Sequence, residues 1–123
     1  MNGTVLYIDD NQDNLLVVQR LLKRARPDIQ LCTAMTGADG IQAATGNQPA
    51  LILLDNRLPD SSGEQVLREL AANPVTAAIP VIILSGDSGQ VTVNELRAAG
   101  AADFLPKPFN VHELLTIVGR YLH

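Results

Sequence analysis

Leu51-Ile52-Leu53-Leu54-Asp55 is the stretch whose reading decides the fold, and Asn56-Arg57-Leu58-Pro59 follows it. An uninterrupted aliphatic run suits a strand buried on both faces, as in a parallel sheet covered by helices. The run ends abruptly in a carboxylate. That places an acidic group at the carboxyl end of a buried strand, where α/β sheets hold their ligands. Asp55 is therefore read as the chemical centre of the chain rather than as a strand-end cap.

Outward from that run the same pattern repeats. Thr4 to Ile8 reads as a first strand and ends in Asp9-Asp10. Asn11-Gln12-Asp13-Asn14 offers helix-capping side chains, and Leu15, Val18, Leu22 and Ala25 then recur at helical spacing, with Leu21 widening the stripe. Lys23, Arg24 and Arg26 fall in the last turn, where the helix dipole favours cations, and Pro27-Asp28 ends the helix. Ile29 to Met35 is a second strand, less apolar and so nearer an edge. Thr36-Gly37 opens a second helix to about Thr45; with few apolar anchors and an internal Gly40 it is expected to be short, and Gly46-Asn47-Gln48-Pro49 breaks it.

Beyond Asp55, a turn-rich loop leads to a third helix, Glu64 to Ala72, with Val66, Leu67 and Leu70 inward. Val81 to Leu84 is a fourth buried strand ending in Ser85-Gly86. A fourth helix, about Gln90 to Ala99, has a thin stripe of Val91, Leu96 and Ala99 and is expected to be the least firmly held. Ala102 to Leu105 is a short fifth strand followed by Pro106-Lys107-Pro108. Asn110 caps a final helix with the stripe Val111, Leu114, Leu115, Val118 and Leu122. Strict alternation of strands and helices implies right-handed crossovers and a parallel sheet.

Composition narrows the class. The 123 residues form one domain, 1–123, with no linker, repeat or visible output domain, so the chain reads as a stand-alone protein or as a piece of a longer one. Apolar residues make up 46% but aromatics only 3%, so the core is aliphatic. A net charge of −4 argues against nucleic acid as a direct partner. The single Cys32 excludes an internal disulfide and a multi-cysteine metal site, and reads as a buried inert thiol. No basic leader precedes the first strand, and no apolar stretch approaches the roughly 20 residues of a membrane span. A cytoplasmic protein with no membrane partner is expected.

The candidate polar residues all sit at carboxyl ends of strands: Asp9 and Asp10, Asp55, Ser85 and Lys107. In a parallel sheet these ends share one edge, so the residues converge. Crowded carboxylates repel one another, and a hard divalent cation such as Mg²⁺ (or Mn²⁺) relieves the repulsion through oxygen ligands. Lys107 supplies a point charge for a phosphate and Ser85 a hydroxyl. Together they suit phosphoryl transfer to a carboxylate nucleophile, giving an acyl phosphate.

The chain resembles a response-regulator receiver domain of two-component signalling. The resemblance is carried by Asp9-Asp10, Asp55-x-x-x-Pro59-x-x-x-Gly63, Ser85-Gly86 and Phe104-x-x-Lys107-Pro108-Phe109, in order over essentially the whole chain. It implies a flavodoxin-like doubly wound (βα)5 three-layer sandwich with a five-stranded parallel sheet in order 2-1-3-4-5. It implies Asp55 as phosphoacceptor, with Asp10, Asp55 and the backbone carbonyl of Arg57 as Mg²⁺ ligands and Asp9 helping indirectly. Ser85 and Lys107 would bind the phosphoryl group, Phe104 would turn inward as Ser85 moves, and Lys107-Pro108 would be cis. The implied partners are a histidine kinase or a histidine phosphotransfer protein, and a target or output domain on the face of the fourth helix, fifth strand and fifth helix; a homodimer on phosphorylation is compatible with the family. The implied chemistry is self-phosphorylation and autodephosphorylation, not enzymatic turnover of a separate substrate.

Several residues depart from the common pattern. Ser85 stands where Thr is more frequent, Phe104 where Tyr is frequent, and Asn56 where an aliphatic residue is usual. Arg57 and Asp87, each two residues beyond a key residue, are expected to pair across the mouth of the site and tune the lifetime of the acyl phosphate. His112 reads as a surface helix residue. Two rival readings are a Mg²⁺-dependent phosphohydrolase using an aspartyl phosphate, and a degenerate receiver serving only as a docking module. Asn56-Arg57-Leu58 lacks the extra acid that the first needs, and the intact acidic set argues against the second.

Overall fold

The computed structural model describes residues 3–85 and 93–122. β1 (Thr4–Ile8), β2 (Gln30–Ala34), β3 (Leu51–Asp55), β4 (Val81–Ser85) and β5 (Asp103–Pro106) alternate with α1 (Gln12–Ala25), α2 (Gly37–Asn47), α3 (Gly63–Ala72), α4 (Val93–Ala99) and α5 (Val111–Tyr121). All strand pairs are parallel and the order is β2-β1-β3-β4-β5. This is the expected flavodoxin-like doubly wound fold. Among the described residues no helix is long and apolar enough to cross a membrane.

β3 is the middle strand, and Leu51, Ile52, Leu53 and Leu54 are all 0% exposed. Each such side chain contributes about 1.5–3 kcal/mol over an exposed one. Their alternation divides the core. Leu51 and Leu53, with Val5, Tyr7, Ile82 and Leu84, pack on α1 and α5 through Leu15, Val18, Leu22, Leu114, Ile117 and Val118. Ile52 and Leu54, with Leu6, Ile8, Val81 and Ile83, pack on α2, α3 and α4 through Ala44, Val66, Leu67, Leu70, Leu96 and Ala99. The period of two along each strand thus assigns every strand-end side chain to one layer or the other.

The element ends follow local chemistry. Asn11, Thr36, Ser62 and Asn110 each accept a backbone N–H from the first turn of the following helix, and Ser62 and Asn110 complete capping boxes with Gln65 and Glu113. β2 is an edge strand as expected, though shorter at both ends. β5 lies one residue later than the apolar pattern suggests, and in α5 the buried set includes Ile117 while Val111 is 43% exposed. Cys32 is half-buried rather than buried, with its Sγ accepting from Asn47 Nδ2 at 3.8 Å. The expected start of the fourth helix, with Val91, lies outside the described residues.

α2 corrects the expectation most. It runs 11 residues, through Gly46, and stops only at Gln48, whose φ is 45°, just before Pro49. Its anchor is the absence of a side chain. A Cβ on Gly40 would lie 2.5, 2.9 and 3.1 Å from the Cδ1, Cγ1 and Cγ2 of fully buried Ile8. The residue that weakens the helix by propensity is the one that lets it sit against β1.

A second tie holds α2 to the loop after β3. Asp60 Oδ1 accepts from the Gly37 amide at 2.7 Å and Oδ2 from the Ala38 amide at 3.0 Å. These backbone donors hold the Asp60 carboxyl below the ordinary carboxylate range. Within the loop, Leu58 N–H donates to Ser61 O at 3.1 Å, Arg57 and Ser62 form an antiparallel bridge, and Gly63 N–H donates to Asn56 O at 2.9 Å. Asn56 now has a local role: its backbone closes the loop, and its Oδ1 would lie 2.8 Å from a Cβ at Gly63.

Two stability predictions follow from α2. Gly40→Ala gains about 1 kcal/mol of helix propensity but, with two Ile8 atoms closer than 3.0 Å to the new Cβ, loses about 2–3 kcal/mol to overpacking, so urea unfolding should show a net loss of about 1–2 kcal/mol. Ile8→Val, costing about 1 kcal/mol alone, should cost close to nothing in the Gly40→Ala background; a Gly40→Ala protein as stable as wild type contradicts the packing account. Asp60→Asn should lower the thermal midpoint at neutral pH. Because the folded Asp60 carboxyl is depressed, its stabilisation is present above the ordinary carboxylate range and lost as pH falls through its folded value, so the two proteins should converge in acid. A constant gap down to strongly acidic pH would show that charge on Asp60 is not what caps α2.

Candidate functional site

The parallel sheet brings the carboxyl ends of β1, β3, β4 and β5 to one edge. One oxygen each from Asp9, Asp10 and Asp55 fits in a cluster within 4.8 Å, and Lys107 Nζ lies 3.4 Å from Asp9 Oδ2 and 3.3 Å from Asp55 Oδ1. Asp9 is 0% and Asp55 9% exposed, whereas Asp10 faces solvent. The layering explains the grouping. Tyr7, Leu53 and Leu105 point into the α1/α5 layer, and residues two further along, Asp9, Asp55 and Lys107, continue that alternation.

Asp9 gathers donors, most of them on Oδ2. Oδ1 accepts from the Asn11 amide at 2.9 Å; Oδ2 accepts from Tyr7 Oη at 2.6 Å, Asn14 Nδ2 at 3.3 Å and Lys107 at 3.4 Å. Burial pushes the Asp9 carboxyl up, but the Tyr7 hydroxyl, the Asn11 amide, Lys107 and Asn14 together bring it below its ordinary value. Asp55 goes the other way. Burial and the neighbouring Asp9 charge outweigh Lys107 and the Arg57 backbone amide, and its carboxyl is raised. Burial and the adjacent carboxylates hold the Tyr7 phenol far above its usual range, so it stays a donor.

Three carboxylates against one ammonium leave the cluster with an excess of two negative charges. All donors on offer are hard oxygens, and Asp10 opens to solvent, so a bound ion would keep waters. That set fits Mg²⁺ or Mn²⁺ and not a soft metal.

The remaining expected residues are distributed as follows. Ser85 ends β4 half-buried, paired with Pro106, and its carbonyl accepts the Lys107 amide at 2.8 Å. Phe104 is half-buried against the α2–α4 layer, with the Arg97 guanidinium 5.0 Å from its ring centre. Arg57 is exposed, and its amide donates to Asp55. Asp87 lies outside the described residues. Lys107-Pro108 is cis, as the resemblance implies. Reading by motif missed Tyr7 and Asn14. The available signal was a tyrosine in an aliphatic strand, on the same face as Asp9 and two residues before it.

The family profile for the response regulator receiver domain matches residues 5–119. The chain is 33% identical over 119 residues to the DNA-binding transcriptional regulator NtrC of Proteus hauseri, covering 96% of this chain and 24% of that one. It thus spans about a quarter of that regulator's length. It is 29% identical to protein PilH of Pseudomonas aeruginosa, covering 96% of both. Among solved structures it superposes on the receiver domain of the sensor histidine kinase PA1611 of Pseudomonas aeruginosa with a TM-score of 0.86 and 27% identity, covering 98% of each; that domain holds a magnesium ion in its active-site cleft. With the parallel five-stranded fold, the acidic cluster and the bridging lysine already in place, the chain belongs to the response regulator receiver domain family.

Proposed function

We propose that this domain is a phosphorylation-dependent switch of a two-component phosphorelay, with Asp55 as acceptor. The observation that carries the reading is the Lys107 ammonium shared between buried Asp9 and Asp55 within an acidic cluster of net negative charge. A histidine kinase or histidine phosphotransfer protein is the donor that suits this chemistry, since a phosphorylated imidazole carries a readily transferred group. The Asp55 carboxylate attacks phosphorus as the nitrogen–phosphorus bond breaks; an acyl phosphate forms, and the imidazole leaves and picks up a proton. Lys107 leaves the carboxylate pair for a phosphoryl oxygen, and Ser85 donates its hydroxyl to another. Asp10, Asp55 and the Arg57 carbonyl would hold Mg²⁺, which when bound neutralises charge on the transferring group.

The output follows from the opposite layer. Ser85 and Phe104 lie on the α4–β5 side, so movement of Ser85 toward the phosphoryl group vacates space into which Phe104 turns. Phe104, Arg97, Asp103, Arg120 and Tyr121 then form the readout face of α4, β5 and α5. Arg120 Nη1 already reaches Asp103 Oδ2 at 2.9 Å, and Tyr121 Oη donates to the same oxygen at 3.3 Å, so that face is tied together by one carboxylate.

With phosphoramidate and Mg²⁺, the domain should gain one phosphoryl group by mass spectrometry, and the gain should vanish with chelator and in Asp55→Asn. Labelling that persists in Asp55→Asn overturns the reading. Beryllofluoride with Mg²⁺ should shift amide resonances about Ser85 to Phe104 as well as beside Asp55; shifts confined to the neighbourhood of Asp55 would remove the switch while leaving the acceptor.

A further inference from the structure

Tyr7 stands apart from the strands around it. Every other side chain of β1, β3 and β4 in the innermost buried set is aliphatic, yet Tyr7 is 0% exposed and is the largest of them. A buried hydroxyl costs free energy unless it is bonded, so a residue needed only to fill space there would be better as phenylalanine. Among the described residues the Tyr7 hydroxyl is bonded to one atom, Asp9 Oδ2, at 2.6 Å. That length lies in the range of a charge-assisted O–H···O⁻ bond, about 2.5–2.7 Å.

The consequence falls on Lys107. Its ammonium approaches the same Oδ2 at 3.4 Å, well beyond the roughly 2.7–2.9 Å of a closed ammonium–carboxylate contact, and stands 3.3 Å from Asp55 Oδ1. A carboxylate oxygen has about two lone-pair directions. Tyr7 fills one at close range, Asn14 Nδ2 competes for the other at 3.3 Å, and the Asn11 amide takes one direction of Oδ1 at 2.9 Å. Lys107 is left at the margin of Asp9, nearly equidistant from both buried carboxylates.

We propose that Tyr7 is a positioning residue of the phosphoryl-transfer site, whose hydroxyl saturates Asp9 Oδ2, prevents Lys107 from closing on Asp9 and so keeps the ammonium available to the phosphoryl group on Asp55. The inference rests on the reading of Asp55 as acceptor. Without the hydroxyl, Oδ2 regains a lone pair, Lys107 closes on Asp9, and the ammonium has to be drawn away from a tight buried ion pair during transfer. Asp9 meanwhile loses a donor that drew off part of its charge, so attraction for a divalent cation is kept or increased.

The test is Tyr7→Phe in the full chain, where the ring is retained. Labelling by phosphoramidate, in which the Asp55 oxygen–phosphorus bond forms as the phosphorus–nitrogen bond breaks and ammonia leaves, should slow by about tenfold at saturating Mg²⁺, the scale seen when outer partners of a site are removed. The Mg²⁺ dissociation constant by calorimetry should stay equal or become tighter, and the Lys107 ammonium nitrogen resonance should move before any phosphodonor is added. Damage to the fold would weaken labelling and Mg²⁺ binding together, and that result overturns the proposal, as does an unchanged rate or an unmoved Lys107 resonance. Wild-type protein that is never labelled at Asp55 overturns the functional reading and this inference with it, which separates that failure from a labelled wild type matched by Tyr7→Phe.

Discussion

The structure turns on one ammonium placed between two buried carboxylates. Burial makes each charge of Asp9 and Asp55 costly, and their proximity adds repulsion. Lys107 offsets part of that cost for both but cannot neutralise both. The outcome is asymmetric because the two carboxylates have unequal company. Asp9 has a tyrosine, an asparagine and a backbone amide besides the lysine, and its carboxyl is lowered; among the described residues Asp55 has one backbone amide besides the lysine, and burial keeps its carboxyl raised. Under the proposed function the less well satisfied carboxylate is the one that takes the new bond, and solvent-facing Asp10 leaves the cluster open on one side.

The remainder of the fold serves this arrangement. A parallel sheet puts strand ends on one edge, and the period of two separates the working groups: the charge cluster continues the α1/α5 layer, while Phe104 packs in the α2–α4 layer. The charge cluster and Phe104 are thereby on opposite faces of the sheet, and β4 and β5 are joined where the Lys107 amide bonds the Ser85 carbonyl at 2.8 Å. The loop after Asp55 is held by its own bridge and by Asp60 across to α2, which returns the Arg57 backbone to Asp55.

Much of this was legible in the residues because it is carried by strong local signals. Aliphatic runs ending in Asp9, Asp55 and Ser85, broken by capping and turn residues, sufficed for a parallel α/β sheet, its edge and the convergence of the candidate site, while the strand order came from the family resemblance. What was not legible depends on contacts between elements distant in sequence. α2 looked short because Gly40 and Gly46 are poor helix formers, and only the position of Ile8 reveals why Gly40 belongs there. Asp60 lies in the turn-rich loop after Asp55, and its donors, the amides of Gly37 and Ala38, are far away along the chain. Val111 fits the apolar stripe of α5 yet lies at the exposed end, while Ile117 takes the buried place. Tyr7 was absorbed into a strand pattern in which its ring fits and its hydroxyl has no voice.

The central claim is that Lys107 is held between Asp9 and Asp55 in order to move to a phosphoryl group. A high-resolution crystal structure of the domain with Mg²⁺ and beryllofluoride tests it directly. The account predicts beryllofluoride on an Asp55 oxygen, Lys107 Nζ within hydrogen-bonding distance of a fluoride and withdrawn from Asp9, and the cation on Asp10 and Asp55. Lys107 still shared between the two carboxylates while beryllofluoride occupies Asp55 would contradict it.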